Sequence, residues 1–177
     1  MTGYCHSTDR MIKKIFGCAV LFDSRRTDER ASVDRVFSKS IFDEMGISFD
    51  MKTLRTYDMP KAGTFFGIHY HKAPAAKLVS VIRGKGADYT VDLRPDSPTY
   101  LRWKMNILSQ GTVIYIPNGF GHAFLSLEDN TVQLFACETE SPSDIINYRD
   151  ERIGLNLPMP VTVISPSDRD APFCERS

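Results

Sequence analysis

Three histidines and one lysine supply the side chains that a small acid–base or metal site would need. His69 and His71 stand two residues apart in Phe66-Gly67-Ile68-His69-Tyr70-His71. In a strand this spacing puts both imidazoles on one face, with Ile68 and Tyr70 on the other. Lys77 opens the apolar run Leu78-Val79-Ser80-Val81-Ile82. A lysine buried there is costly unless it meets a partner or a ligand. His122 ends the segment Gly111-Thr112-Val113-Ile114-Tyr115-Ile116-Pro117-Asn118-Gly119-Phe120-Gly121-His122. A strand closes at Pro117, Gly119 makes the turn, and His122 starts the return strand facing inward. Two chemistries suit such a set. Three imidazoles could hold a divalent metal and leave positions open for substrate. Alternatively, His69 is a general base oriented by a carboxylate, and Lys77 steadies an enolate. An ammonium beside a bound cation is unfavourable, so Lys77 favours the metal-free reading, while His71 keeps the metal reading open.

The elements that must position these groups read as strands. Between Thr64 and Glu138, short runs rich in Val, Ile, Tyr and Phe recur at 64–71, 77–83, 87–93, 101–108, 112–116, 122–127 and 131–137. Gly, Pro, Asn, Asp and Ser clusters separate them, as in Gly84-Lys85-Gly86 and Glu128-Asp129-Asn130. Many short strands without a crossover helix predict an all-β, antiparallel sandwich or jelly-roll barrel. Ile12–Phe16 begins strand-like sequence, and residues 1–11 read as a flexible N-terminal extension ahead of a single domain over 12–177. Residues 24–35 are polar and charged and read as a loop or mobile arm. Phe37, Ile41 and Met45 follow at helical spacing before Gly46, predicting one short helix over 36–46. The tail after Pro158 reads as extended chain.

Composition narrows the function classes. Lys plus Arg equals Asp plus Glu, at 22 each, which argues against nucleic acid or a membrane surface as the main partner. The four cysteines form no C-x-x-C pair, so reduced thiols in a cytoplasmic protein are the simpler reading. No apolar run reaches the length of a membrane span.

The G-x5-P-x-G-x2-H spacing of 111–122 fits the second cupin motif. Gly63, His69, His71 and Gly84 fit part of the first, with its glutamate missing and Lys77 nearby. Beyond this, the chain resembles the dTDP-4-dehydrorhamnose 3,5-epimerase family over roughly residues 15 to 171. The resemblance rests on FGIHYHKAPAAKLVSVIRG (66–84), VDLRPDSPTYLRW (91–103), IPNGFGHAFL (116–125), RDERIGLNLP (149–158) and SPSDRD (165–170). It implies a cupin jelly-roll homodimer with exchanged N-terminal strands, no metal or other cofactor, and a nucleotide-linked 4-keto-6-deoxy hexose as substrate. The implied reaction is 3,5- or 3-epimerisation by proton abstraction next to the ketone, in deoxysugar and polysaccharide biosynthesis.

The same resemblance implies residue roles. His69 is the base, Asp150 its dyad carboxylate, and Lys77 the cation that steadies the enolate. His122, His71 and Asn118 fall among the substrate-binding positions, and Arg30 matches an arm arginine that reaches the partner subunit's nucleotide. Several positions depart from the family. Phe66 stands where a phosphate-binding arginine is usual, and Leu134 stands at the expected place of the tyrosine that returns a proton. Upstream polar contacts appear as Leu54 and Thr56, and the arm positions after Arg30 appear as Val33 and Arg35. With that tyrosine gone, reprotonation falls to water or to another side chain such as Tyr57 or Tyr70. Two alternatives stand beside the epimerase reading: a metal cupin oxidoreductase or isomerase using His69, His71 and His122, and a sugar-binding homologue without turnover.

Overall fold

Alternating apolar and polar residues must bury one face of each strand, and two such faces packed together make a sandwich. The computed structural model describes residues 12–174, so the expected extension over 1–11 lies outside the described residues. The elements are β1 (Ile12–Ile15), β2 (Ala19–Asp23), β3 (Arg25–Thr27), β4 (Ser32–Asp34), α1 (Lys39–Glu44), β5 (Thr53–Met59), β6 (Thr64–Tyr70), β7 (Lys77–Arg83), β8 (Lys85–Asp92), β9 (Trp103–Ser109), β10 (Thr112–Ile116), β11 (Phe120–Ser126), β12 (Thr131–Cys137), β13 (Asp144–Ile146), β14 (Val163–Ile164) and α2 (Pro166–Arg169). One sheet runs β1-β2-β10-β7-β12-β5. The other runs β13-β6-β11-β8-β9, with β14 added in parallel beside β6. Every other pairing is antiparallel. The all-β, two-sheet architecture is the one the strand spacing predicts, and the jelly roll is the form that the family resemblance implies.

The inward faces meet around an apolar lumen that includes Leu21, Met59, Val79, Val81, Leu108, Ile114, Ile116, Phe120 and Phe124. The first sheet's outer face carries Phe22, Leu78, Val113, Tyr115 and Ala136, covered by Phe42 of α1 and by Ile47. The second sheet's outer face carries Ile68, Tyr89 and Ala123, and packs with Ile146, Ile153 and the strip Leu155–Val161. The apolar core fills most of the lumen and leaves its polar end open for a site.

Three local expectations change. Residues 24–35 form a hairpin rather than a loop. Its strands β3 and β4 are clamped by Arg25, whose Nε and Nη2 both donate to the Asp34 carboxylate at 2.7 Å. The helix is shorter than its apolar stripe because Ser38 is extended, at φ −152° and ψ 124°, and delays its start to Lys39; Gly46, at φ 69°, closes it as expected. The tail after Pro158 carries β14 and the single-turn α2, and α2 proves important to the site. At Gly119, φ is 88° and an added Cβ would lie 2.7 Å from Arg94 Cγ, so the turn that returns the chain into β11 requires glycine.

Candidate active site

The open end of the lumen is a cavity of about 510 Å³. Alternation on the strands decides which side chains reach it. From β5 come Arg55 and Tyr57; from β6, Phe66 and His69, with His71 just past its end; from β7, Lys77; from β11, His122 and Phe124; from β12, Gln133, Phe135 and Cys137. Phe66 and His69 are three apart, yet both face the cavity. A bulge in the β6–β11 ladder, where the register shifts between Phe124↔Phe66 and His122↔His69, absorbs the odd residue. Ser143 and Asp168 complete the wall near His69.

His69 sits between two partners. Its Nε2 is 2.7 Å from Asp168 Oδ1, and its Nδ1 is 2.7 Å from Ser143 Oγ. A carboxylate only accepts, so Nε2 carries the proton and Nδ1 keeps a lone pair that receives the Ser143 hydroxyl. Asp168 is itself held on every side. The Gly67 N–H donates to Oδ1 at 3.0 Å, and the Ser165 hydroxyl donates to Oδ2 at 2.6 Å. Burial alone would raise the Asp168 carboxyl, but hydrogen bonds from His69, Ser165 and Gly67 outweigh it and hold it below the usual carboxylate range. Ser165 also accepts the Asp168 N–H at 3.1 Å as the cap of α2. One turn of helix thus aims the carboxylate. Gly67 is the matching concession on β6, because a Cβ there would lie 2.8 Å from Asp168 Oδ1.

Lys77 is 1% exposed, and its Nζ donates to the Phe120 carbonyl at 3.3 Å. Burial pulls the ammonium down to about 8, against the raising influence of Cys137 and Asp88. His122 Nε2 lies 2.6 Å from Asp88 Oδ2, with both residues buried. His71 Nε2 is 3.8 Å from Cys137 Sγ. Burial, followed by the nearby Lys77 charge, lowers the His71 imidazole below its usual value. Gln133 Nε2 is buried, without a hydrogen-bond partner among the described residues, and its side chain lines the cavity.

The structure gathers His69, His71, Lys77, His122 and Phe66 in one cavity and leaves four expected residues outside it. Asp150 is not beside His69. Its carboxylate accepts the Arg152 N–H at 2.9 Å and the Cys174 N–H at 2.7 Å, tying a surface turn to the C-terminal segment. Asp168 holds the place expected for Asp150. Leu134 lies on the outer face of β12, paired with Ser80 and Thr56; the cavity-facing residue is Phe135, one position on. The same one-residue error moves Leu54 and Thr56 outside and brings Arg55 and Tyr57 in, since neighbours on a strand face opposite ways. Asn118 accepts the Ala75 N–H at 3.3 Å and braces the chain before β7 rather than lining the cavity. Arg30 lies in the loop joining β3 and β4, paired with Asp28 at 2.6 Å and 79% exposed.

Nor do the three histidines form a ligand set. Among the described residues, no group of three His, Cys, Asp or Glu side chains is placed to hold a metal ion. His69 and His122 each turn Nε2 into their own carboxylate, and His71 faces Cys137.

What the sequence reading missed was Asp168, Asp88, Ser143 and Gln133. Asp168 had a local signal in Ser165-Pro166-Ser167-Asp168, a helix-capping pattern with proline at the first helical position. Asp88 had only its inward parity on β8.

Known proteins resemble the chain in sequence and in fold. The sequence profile of the dTDP-4-dehydrorhamnose 3,5-epimerase family matches residues 13–176. The chain is 33% identical over 172 residues to the dTDP-4-dehydrorhamnose 3,5-epimerase of Methanothermobacter thermautotrophicus, covering 91% of this chain and 92% of that one. A crystal structure of dTDP-4-dehydrorhamnose 3,5-epimerase from Bacillus anthracis with TDP and PPi bound superposes with a TM-score of 0.86 at 26% identity, over 93% of this chain and 99% of that one. A second, the dTDP-6-deoxy-D-glucose-3,5-epimerase of Legionella pneumophila in complex with dTDP-4-keto-L-rhamnose, gives 0.83 at 27% identity, over 93% of this chain and 92% of that one. The chain belongs to the dTDP-4-dehydrorhamnose 3,5-epimerase family.

Proposed function

We propose that the protein is an epimerase that removes a proton next to the ketone of a nucleotide-linked 4-keto-6-deoxy hexose. One observation carries the reading: a histidine braced by a buried carboxylate shares a cavity with a buried lysine. The C4 carbonyl acidifies the hydrogens on C3 and C5. His69 Nδ1 takes one of them once substrate displaces the Ser143 hydroxyl, and Asp168 stabilises the imidazolium that forms. The electron pair moves onto the carbonyl oxygen, where the Lys77 ammonium, in a largely water-free setting, is worth more than it would be in water. Gln133 supplies an unpaired amide donor for the sugar or phosphates, His122, whose Nε2–H is taken by Asp88, offers Nδ1 as an acceptor for a sugar hydroxyl, and Arg55 supplies a guanidinium for the diphosphate.

The Bacillus anthracis relative binds TDP and the Legionella relative binds dTDP-4-keto-L-rhamnose, which supports thymidine diphosphate as the carrier here. A cytoplasmic homodimer fits the same reading. Arg30 stands on an exposed hairpin away from its own cavity, as a residue serving a partner's site would. The test is product identification. Incubation with dTDP-4-keto-6-deoxyglucose, borohydride reduction and analysis of the released sugars should reveal inversion at C3, or at C3 and C5. Tight binding of the nucleotide sugar with no epimer formed would instead identify a binding protein.

A further inference from the structure

Inversion at carbon needs the proton to return from the face opposite the one that lost it. His69 stands on β6, in the second sheet. The donor must therefore come from the first sheet, which faces it across the lumen. That wall presents Arg55, Tyr57, Lys77, Gln133, Phe135 and Cys137. Arginine does not give up a proton in proteins, and an amide and a phenyl ring have none to give. Lys77 is needed as a charge at the ketone oxygen. The Cys137 thiol is 1% exposed and faces His71 Nε2.

Tyr57 remains. Its ring is braced edge-on by Phe66, with centroids 5.1 Å apart, and by Phe135 at 6.1 Å. Among the described residues its hydroxyl has no hydrogen-bond partner, and its side chain lines the cavity. No other described tyrosine lines the cavity. Tyr70, the other tyrosine named from sequence, packs in the cluster on the outer face of the second sheet.

We propose that the Tyr57 hydroxyl is the proton donor on the face opposite His69. The inference rests on the enolisation reading of the cavity. In the first step the C–H bond next to the ketone breaks. Its proton goes to His69, its electron pair forms the C=C bond, and the carbonyl pair moves onto oxygen. In the second step the carbonyl re-forms, and the carbon takes the Tyr57 proton on the opposite face. The resulting phenolate is reprotonated from water, and His69 releases its proton to water. No oxidant or reductant is required.

The experiment separates exchange from inversion. Wild type, Tyr57→Phe, Cys137→Ala and the double variant Tyr57→Phe/Phe135→Tyr are incubated with dTDP-4-keto-6-deoxyglucose in D₂O. Deuterium uptake and epimer formation are followed in the same samples. For Tyr57→Phe, which keeps the ring and both aromatic contacts, inversion should fall by about 10²-fold or more. Deuterium uptake without inversion should continue within about threefold of wild type, because His69 still removes and returns a proton on its own face. Phe135→Tyr, which puts a hydroxyl on the adjacent ring, should recover inversion to within about tenfold. Wild-type inversion in Tyr57→Phe overturns the proposal, as does loss of inversion with retained exchange in Cys137→Ala, which gives the role to the thiol. No exchange by wild type overturns the enolisation reading and this inference with it.

Discussion

If Asp168 rather than Asp150 orients the base, the two carboxylates should respond very differently to substitution. At position 168 the Gly67 N–H requires an acceptor at Oδ1, 3.0 Å away. An asparagine there therefore keeps its carbonyl toward Gly67 and His69 and turns its amide toward Ser165. The bond to His69 survives but loses its charge. A hydrogen bond to a charged group contributes about 1.5–3 kcal/mol and a neutral one about 0.5–1.5. The difference of about 1–2 kcal/mol corresponds to a loss of about 5–30-fold in the rate of proton abstraction for Asp168→Asn. Asp168→Ala also frees the imidazole to rotate and change tautomer, and should cost about 10²–10⁴-fold, the range for losing an effective general base. Asp150→Ala removes the acceptor for the Arg152 and Cys174 N–H groups. It should lower stability by about 1–3 kcal/mol and leave abstraction within about twofold of wild type. The assay is the initial rate of deuterium incorporation into the keto sugar in D₂O, with urea denaturation on the same samples. Wild-type exchange by Asp168→Ala, or its abolition in folded Asp150→Ala, would refute the assignment.

Three further predictions concern the same cavity. The buried Lys77 ammonium titrates at about 8, well below its ordinary value, so activity should fall on the alkaline side with a midpoint near 8 as the charge at the ketone oxygen is lost. The unfolded chain binds this proton more tightly than the folded one, so Lys77 contributes a stability that rises with pH from about 8 toward 10.5. Replacement by Met should therefore stabilise the protein at neutral pH, by about 1–3 kcal/mol in denaturant titration, while exchange is lost. Gly67→Ala drives a methyl to within 2.8 Å of Asp168 Oδ1. It should cut exchange by about 10²-fold through misplacement of the dyad while the circular dichroism spectrum stays unchanged.

Parts of this molecule were legible in the sequence because their signals are local. The seven runs between 64 and 137 became β6 to β12 because period-two patterning and turn residues act over a few positions. His69, Lys77 and His122 were found for the same reason: each sits on a strand whose inward face its neighbours define. The failures have two physical sources. One is parity. Leu134 for Phe135, and Leu54 and Thr56 for Arg55 and Tyr57, are errors of a single residue on β12 and β5, and in a strand one residue is the difference between lumen and outer surface. The other is distance along the chain. Asp168 lies 99 residues beyond His69, and Asp88 lies 34 before His122; no spacing rule pairs such residues before the sheets are assembled. Asp150 looked plausible because it sits in a charged, family-like segment. Its side chain is instead used up by the backbone of its own turn and of the C-terminal segment.

The central claim is that the imidazole of His69 takes the proton next to the ketone. It is tested most directly by ¹H NMR of dTDP-4-keto-6-deoxyglucose in D₂O with wild type and with His69→Ala. Wild type should erase the C3 signal, or the C3 and C5 signals, at a rate proportional to enzyme concentration. His69→Ala should still bind the nucleotide sugar but leave those signals at the rate of the enzyme-free control. Equal loss of signal with both proteins would contradict the account.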